Sequence, residues 1–205
     1  MKRDYLIAIA VLGLAFGLQS CADKKPQTEV AGKNVQYVSG ADEVTYIRIG
    51  KEISDTIGTT LKMNLQQAMK NGGPVRAVQF CNMEAMPLTD SYSAKYNTEV
   101  KRVSDRFRNP KNKANEKELA VMADFKRMLE AGEPLSPKVA IDAEGRKNFY
   151  APIFTGGACL ACHGSEANMQ PELVAALDSL YPNDNAKGYA VDELRGIWSI
   201  KFKNS

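Results

Sequence analysis

The only histidine in this chain of 205 residues stands directly after two cysteines, in the run Cys159–Leu160–Ala161–Cys162–His163. This run constrains the chain more than any other feature. A single imidazole excludes a metal site built from several histidines and a relay of two histidines. Any imidazole chemistry must therefore use His163, and the fold must bring its partners to that one position.

The spacing C-x-x-C-H is the attachment signature of c-type haem. Two thiols three positions apart reach the two vinyl groups at one edge of the porphyrin, and the next residue places its imidazole beneath the iron. The motif predicts one covalently attached haem c, held by Cys159 and Cys162, with His163 as an axial iron ligand. A thioredoxin-like redox pair is one alternative. A zinc site that adds Cys81 is another, although ligation from the adjacent Cys162 and His163 makes its geometry awkward.

The N-terminal segment predicts export and lipidation. Lys2 and Arg3 precede an apolar run over 5–16, which suits the core of a secretory signal peptide and is short for a membrane span. The run leads to Leu18–Gln19–Ser20–Cys21, which resembles the lipobox of bacterial lipoprotein precursors. The resemblance implies cleavage after residue 20 and a lipid anchor on Cys21. Because Ala22 follows, it also implies a place on the periplasmic side of the outer membrane.

The chain divides into a signal peptide over 1–20, a polar and flexible tether over 21–40, and one domain over 41–205. Lys and Arg number 27 against 24 Asp and Glu, a formal charge of +3. This balance is typical of proteins that do not neutralise a phosphate backbone, so we expect no nucleic-acid partner.

Hydrophobic periodicity places helices early in the domain and strands late, which predicts an α+β fold with long N-terminal helices and a small antiparallel sheet. The predicted helices are 42–70 (ended by Gly72–Gly73), a second from Pro74 to before Pro87, about 115–131, and 171–180. The predicted strands are 139–141 and 149–154, which form a hairpin, and 196–202.

The stretch 95–117 carries eight basic and three acidic side chains and is expected to be a solvated surface. Its arginines Arg102, Arg106 and Arg108 are candidates to pair with haem propionates, because a guanidinium matches a carboxylate fork.

Cys81 has no evident partner in the sequence. A free cysteine most often packs as a small apolar residue, and the alternative is an axial thiolate opposite His163. Methionine is the usual competitor for the sixth iron position in small cytochromes. Chemistry alone favours a methionine or an open site over Cys81.

Four segments, in this order, resemble one protein family. They are 77–85 with A-x-x-x-C, 102–112 with R-x-R-N-P-x-N, the C-x-x-C-H motif with 150–153 before it, and 181–196 from Tyr-Pro-Asn-Asp to Arg-Gly. The combination resembles a domain-of-unknown-function family of single-haem c-type proteins. The resemblance implies a PAS-like fold and makes Cys81 the second axial ligand, opposite His163.

An iron with two protein ligands has no open position, which favours electron transfer or sensing over catalysis. We therefore expect a membrane-anchored, non-enzymatic haem protein of low potential, acting as an electron carrier or redox sensor with a partner protein in the cell envelope. The alternative is a sensor of carbon monoxide or nitric oxide in which Cys81 dissociates. A zinc or thiol-redox lipoprotein is the third possibility.

Overall fold

A four-stranded antiparallel sheet carries long helices on its two faces. The computed structural model describes residues 35–203. Its helices are α1 (Ala41–Met83), α2 (Ala85–Lys95), α3 (Glu116–Glu130), α4 (Leu160–His163) and α5 (Pro171–Leu180), and its strands are β1 (Thr98–Val103), β2 (Lys138–Ile141), β3 (Lys147–Phe154) and β4 (Leu194–Phe202). The expected α+β class is confirmed, with a long N-terminal helix and a small antiparallel sheet.

The strands lie in the order β1-β4-β3-β2, so the last strand of the chain is inserted between the first and the third. β2 and β3 form the predicted hairpin, with Val139 opposite Phe149. β4 pairs with β1 on one side and with β3 on the other. β1 and β2 are therefore the edge strands, and the C-terminal strand β4 lies in the interior of the sheet.

Residues before position 41 already form backbone hydrogen bonds with the sheet. The Val38 N–H donates to the Val139 carbonyl at 2.8 Å, and the Ile141 N–H donates to the Gln36 carbonyl at 2.9 Å. Residues 36–38, predicted to lie in the tether, therefore already pair with the sheet. The rest of the predicted tether, the signal peptide and Cys21 lie outside the described residues.

Each face of the sheet has its own apolar core. On one face, Ile53, Ile57 and Leu61 of α1 pack against β-strand residues that include Phe149 and Ile200. On the other face, α3 packs Val121, Met122 and Phe125 against residues that include Tyr150 and Ile197. α3 begins at a capping box formed by Asn115 and Glu118, as expected from its position after a loop. Leu119, in the same helix, is 40% exposed.

α1 bends where the sequence predicted a helix to end. Gly72 and Gly73 have non-helical backbone angles, and the φ of +67° at Gly73 lies in the left-handed region that favours glycine. Pro74 then opens the second half of the helix, in agreement with its fixed φ. The bend directs the segment 74–83 away from the sheet.

Two elements escaped the sequence prediction. α2 runs through Pro87, which was expected to lie beyond a helix end. Pro87 is the third residue of α2, where the backbone N–H has no partner within the helix, so proline is tolerated there. β1 lies in the stretch expected to be solvated, and its Val100 and Val103 are buried on opposite faces of the sheet. Among residues 35–203 no helix is both long and apolar enough to cross a membrane.

The packing of Gly50 in α1 gives a stability prediction. A Cβ at this position would overlap the ring of Phe149, which is fully buried. Gly50→Ala is therefore expected to lower the free energy of unfolding by about 1–3 kcal/mol, despite the higher helix propensity of alanine. Urea denaturation followed by circular dichroism measures the change.

Gly58→Ala is the matched control in the same helix. Its Cβ would lie 3.3 Å from the ring edge of Trp198, which is only partly buried and has room to shift. We expect a change in unfolding free energy between zero and a gain of about 1 kcal/mol. Equal stability of the two variants would contradict the packing of α1 against β3 described here.

Candidate functional site

The C-x-x-C-H run lies at the end of β3, on a short turn and one turn of helix. Thr155, which is 1% exposed, anchors this exit. Its N–H donates to the Glu193 carbonyl at 3.1 Å, and its hydroxyl donates to the carbonyls of Ala190 and Glu193. The chain then turns through a 3-10 turn over Gly157–Cys159 into α4. Cys159 is consequently exposed and Cys162 half-buried, and both thiols are free.

Three hydrogen bonds join His163 and the adjacent Gly164 to the loop that precedes β4. The Nδ1 atom lies 2.8 Å from the Ala186 carbonyl oxygen. The His163 carbonyl accepts from the Tyr189 N–H at 2.9 Å, and the neighbouring Gly164 carbonyl accepts from the Gly188 N–H at 2.7 Å. Because a carbonyl only accepts, Nδ1 carries the ring proton and the lone pair is on Nε2. This tautomer leaves Nε2 available as a metal ligand.

The imidazole is neutral as well as oriented. Burial lowers the pKa of His163 to about 3, and the nearby Arg108 and Arg195 guanidiniums lower it further than the Ala186 hydrogen bond raises it. A neutral imidazole with a fixed tautomer is the form in which histidine binds metals.

The loop over 182–190 depends on two arginines from the R-x-R-N-P segment. Arg108 Nε donates to Asp184 Oδ2 at 2.9 Å, in an ion pair whose side chains are only 11% and 2% exposed. The same guanidinium donates to the Cys162 carbonyl at 2.5 Å. Arg106 forms an ion pair with Glu193 at 3.0 Å and donates to the carbonyls of Asn185 and Lys187. These two arginines therefore join the loop, the motif and the end of β1.

Cys81 lies in residues 74–83 of α1, the segment that follows the bend. Val78, three residues earlier, is 2% exposed and belongs to a small apolar cluster with Leu173 and Leu177 of α5, against which Cys162 packs. Burial raises the pKa of the Cys81 thiol, and Arg102 and Arg108 act in the opposite direction. An ionised Cys162 would also raise the pKa of the Cys81 thiol. The thiols of Cys81 and Cys162 are thus electrostatic neighbours.

The structure thus brings Cys81, predicted on a separate helix, to the same region as Cys159, Cys162 and His163. Among the methionines, Met169 packs with Cys162 in the apolar cluster of α5. Met63 and Met83 are more than half exposed, and Met122 is buried in the α3 core. On structural grounds, Met169 is therefore the methionine that competes with Cys81 for the predicted sixth iron position.

A zinc site receives no support. No group of three or more His, Cys, Asp or Glu side chains in the described range is arranged to hold a metal ion. The four residues considered for zinc are therefore close in the fold without forming a tetrahedral set.

Sequence reasoning missed the residues that hold His163. Asp184, the Ala186 carbonyl, Tyr189 and Arg195 had no assigned role, although all four lie in the last of the four resemblance segments, 181–196. Arg106 and Arg108 were considered for propionate binding, whereas the structure engages them with the 182–190 loop. The only available signal was the joint presence of the R-x-R and Tyr-Pro-Asn-Asp segments.

The Arg108–Asp184 ion pair gives the second prediction. Arg108→Met removes the cation and leaves the nearly buried Asp184 carboxylate without its partner, so the unfolding free energy should fall by about 3–5 kcal/mol. Urea denaturation of the variant measures the loss.

Lys187→Met is the control, because Lys187 pairs with Glu166 and Asp178, whose side chains are 52% and 62% exposed. Exposed pairs contribute about 0–1 kcal/mol, so this variant should be nearly as stable as the wild type. A loss of stability as small in Arg108→Met would show that the loop does not depend on this ion pair.

Comparison with known proteins identifies the family. The sequence model of the Tll0287-like family matches residues 24–203. Among solved structures, the crystal structure of the cyanobacterial heme-protein Tll0287 is similar in fold, with a TM-score of 0.50 and 22% identity over 58% of this chain and 71% of that chain. No curated protein matches the sequence. Because the family model spans well over half of the sequence, the chain belongs to the Tll0287-like family.

Proposed function

We propose that this chain is a single-haem c-type protein of the bacterial envelope that transfers electrons at low potential or senses redox state. The observation that carries the proposal is the state of His163: half-buried, neutral, and fixed through Nδ1 so that Nε2 is free, directly after two free thiols. The solved structure of similar fold is that of a heme protein, which agrees with this assignment.

The residues present fit a c-type haem. Cys159 and Cys162 are unoxidised and correctly spaced for two thioether bonds, and His163 offers Nε2 as an axial ligand. Two buried polar atoms beside His163, Tyr189 Oη and Arg195 Nε, have no hydrogen-bond partner within residues 35–203. Such atoms are rare in a complete site and indicate that a polar group belongs there.

A haem would supply one-electron exchange between ferric and ferrous iron. The contribution of the chain is to fix one axial ligand rigidly through the Ala186 carbonyl and to offer a second, Cys81, from α1. With both axial positions filled by protein, no position remains for a substrate. The proposed role is therefore electron transfer or sensing, and not catalysis.

Cys81 is the preferred second ligand. It lies near Cys162. Burial raises the pKa of its thiol overall, but the Arg102 and Arg108 guanidiniums lower it and so favour an anionic sulfur. Met169 is also close to Cys162 but lies on the turn that leads directly from α4 into α5. The family resemblance of the A-x-x-x-C segment to an axial-ligand segment gives the same preference.

Replacement of Cys81 is the direct test of this function. Cys81→Ala removes an anionic ligand that stabilises ferric iron, so the reduction potential should rise by on the order of 0.1 V, within the roughly 0.8 V span that axial ligands control. The ferric low-spin spectrum should change at the same time. Spectroscopic redox titration of protein made with the haem-attachment machinery measures both.

Met169→Leu is the matched control and should leave the spectrum and the potential near those of the wild type. The reverse pattern, an effect of Met169→Leu and none of Cys81→Ala, would assign the ligand to Met169. A wild-type protein without a Soret band would contradict haem binding altogether and leave the thiol-redox alternative.

The gas-sensing alternative rests on the burial of Cys81. Because burial raises the pKa of this thiol, a sulfur released from ferrous iron is readily protonated, and its return is disfavoured. Addition of carbon monoxide or nitric oxide to the ferrous wild type distinguishes the two functions. A spectral shift supports the gas sensor, and an unchanged spectrum supports electron transfer or redox sensing.

The proposed location is the periplasmic side of the outer membrane, with a lipid on Cys21 and a redox or signalling partner protein in the envelope. This part of the proposal rests on the lipobox resemblance, because Cys21 lies outside the described residues. An acyl anchor followed by a polar tether is typical of proteins that stand at a membrane surface.

Cys21→Ser should release the protein from membranes, since a hydroxyl cannot accept the thioether-linked lipid. Fractionation of cells into membrane and soluble parts measures this, with the wild type in the membrane fraction and most of the variant in the soluble fraction. Cys81→Ser is the control and should remain with the membrane. Continued membrane association of Cys21→Ser would require another anchor.

A further inference from the structure

Two unpartnered buried polar atoms lie together beside His163. Within residues 35–203, three buried side-chain polar atoms lack a hydrogen-bond partner: Thr98 Oγ1, Tyr189 Oη and Arg195 Nε. Thr98 is at the start of β1, whereas the other two are neighbours. The Tyr189 ring lies 6.3 Å from the His163 ring in an edge-on arrangement, and the Arg195 guanidinium carbon lies 5.1 Å from the Tyr189 ring centre.

The same region holds more positive than negative charge. Of its four arginines, Arg106 pairs with Glu193 and Arg108 pairs with Asp184. Arg195 donates to the Arg106 carbonyl at 3.1 Å, and Arg102 lies 6.0 Å from the Trp198 ring. Neither Arg102 nor Arg195 forms an ion pair within the described range.

Both guanidiniums without a carboxylate belong to half-buried residues. Burial lowers the pKa of Arg102 and of Arg195, and Cys81 as a thiolate would raise that of Arg102. A cation removed from water is costly unless an anion accompanies it. Cys81 can accompany Arg102, whereas Arg195 forms no ion pair in the described range.

One chemical group fits this arrangement. The Tyr189 hydroxyl oxygen is close enough to the Arg195 guanidinium to accept from it, but the Tyr189 O–H and the Arg195 Nε–H still have no acceptor in the described range. A group that accepts from both, and that carries negative charge into a region with four arginines, would supply one. A carboxylate is planar, anionic and able to accept from both donors at once. Arg106 and Arg108 are engaged with the 182–190 loop and are poorer candidates.

We propose that Tyr189, Arg195 and Arg102 form a carboxylate-binding subsite that receives a propionate of the haem. This inference rests on the proposed function, since it concerns the same cofactor. It assigns the recognition of the haem carboxylate to side chains outside the C-x-x-C-H motif. Tyr189 and Arg195 bind the carboxylate directly, and Arg102 supplies a second cation.

The test uses the full-length apoprotein and two iron porphyrins without vinyl groups, so that no thioether forms. Ferric mesohaem carries two free propionates, and its dimethyl ester carries none. Titration in one detergent-containing buffer, followed at the Soret band, gives the affinity for each. The wild type should bind mesohaem at least tenfold more tightly, because one charge-assisted hydrogen bond contributes roughly ten- to a hundredfold.

Two variants test which side chains cause the preference for mesohaem over its ester. Tyr189→Phe removes only an unpartnered hydroxyl, so it should lower the affinity ratio several-fold without lowering the stability of the apoprotein in urea. Arg195→Gln should bring the ratio close to one. Lys187→Gln, which removes an exposed cation of the same loop, is the control and should retain the wild-type ratio.

The failures of the two proposals are distinguishable. No Soret band with either porphyrin overturns the proposed function and the subsite with it. Haem binding with equal affinity for mesohaem and its ester overturns only the subsite, and the wild type alone gives that result. A wild-type ratio that survives both Tyr189→Phe and Arg195→Gln also overturns it.

Discussion

The candidate site depends on the buried ion pair between Arg108 and Asp184. Arg108 follows the end of β1, and Asp184 opens the loop that leads to β4, with 76 residues between them. Asp184 also accepts from the Ala186 N–H at 2.8 Å, and the Ala186 carbonyl contacts His163. One carboxylate thus connects the framework to the orientation of the imidazole. Two largely buried charges at this point are stable only together, which explains why a loop without secondary structure can position His163.

The two halves of α1 have different partners, and the bend at Gly72–Gly73 separates them. The first half packs on the sheet through Ile53 and Ile57, whereas Val78 in the second half packs on α5. The left-handed backbone at Gly73 marks the change from one set of partners to the other, and Cys81 lies in the segment after it.

Local signals predicted much of the framework. The bend, α3, the hairpin, α5 and β4 follow from glycine, proline and hydrophobic periodicity within one segment. β1 was missed because its two valines, Val100 and Val103, are three positions apart among charged residues and give no period-two alternation. α2 was missed because Pro87 suggests a helix end unless its place in the first turn is known.

The site was predictable only in part, for a physical reason. Spacing within 159–163 is a local property, so the residues proposed for haem attachment and the imidazole could be named from the sequence. The contacts that orient His163 join residues about 20 to 80 positions apart, and no periodicity encodes them. Tyr189 and Arg195 had no local signal, since their importance comes from the lack of partners after folding.

The two sides of the site are held by unlike forces. The His163 side is fixed by directional hydrogen bonds from its ring and backbone and by a buried ion pair. The Cys81 side is held mainly by apolar packing of Val78 on α5, with a side-chain contact between Asn82 and Tyr181. Apolar packing is non-directional and tolerates small shifts, whereas hydrogen bonds and buried charges do not. If the proposed haem is bound, a change in its charge would therefore move residues 74–83 of α1 before it moved the 182–190 loop. A carrier requires that this movement be small, and a sensor requires that it be large enough for a partner to recognise. The packing of segment 74–83 on α5 is thus the feature that separates the two roles.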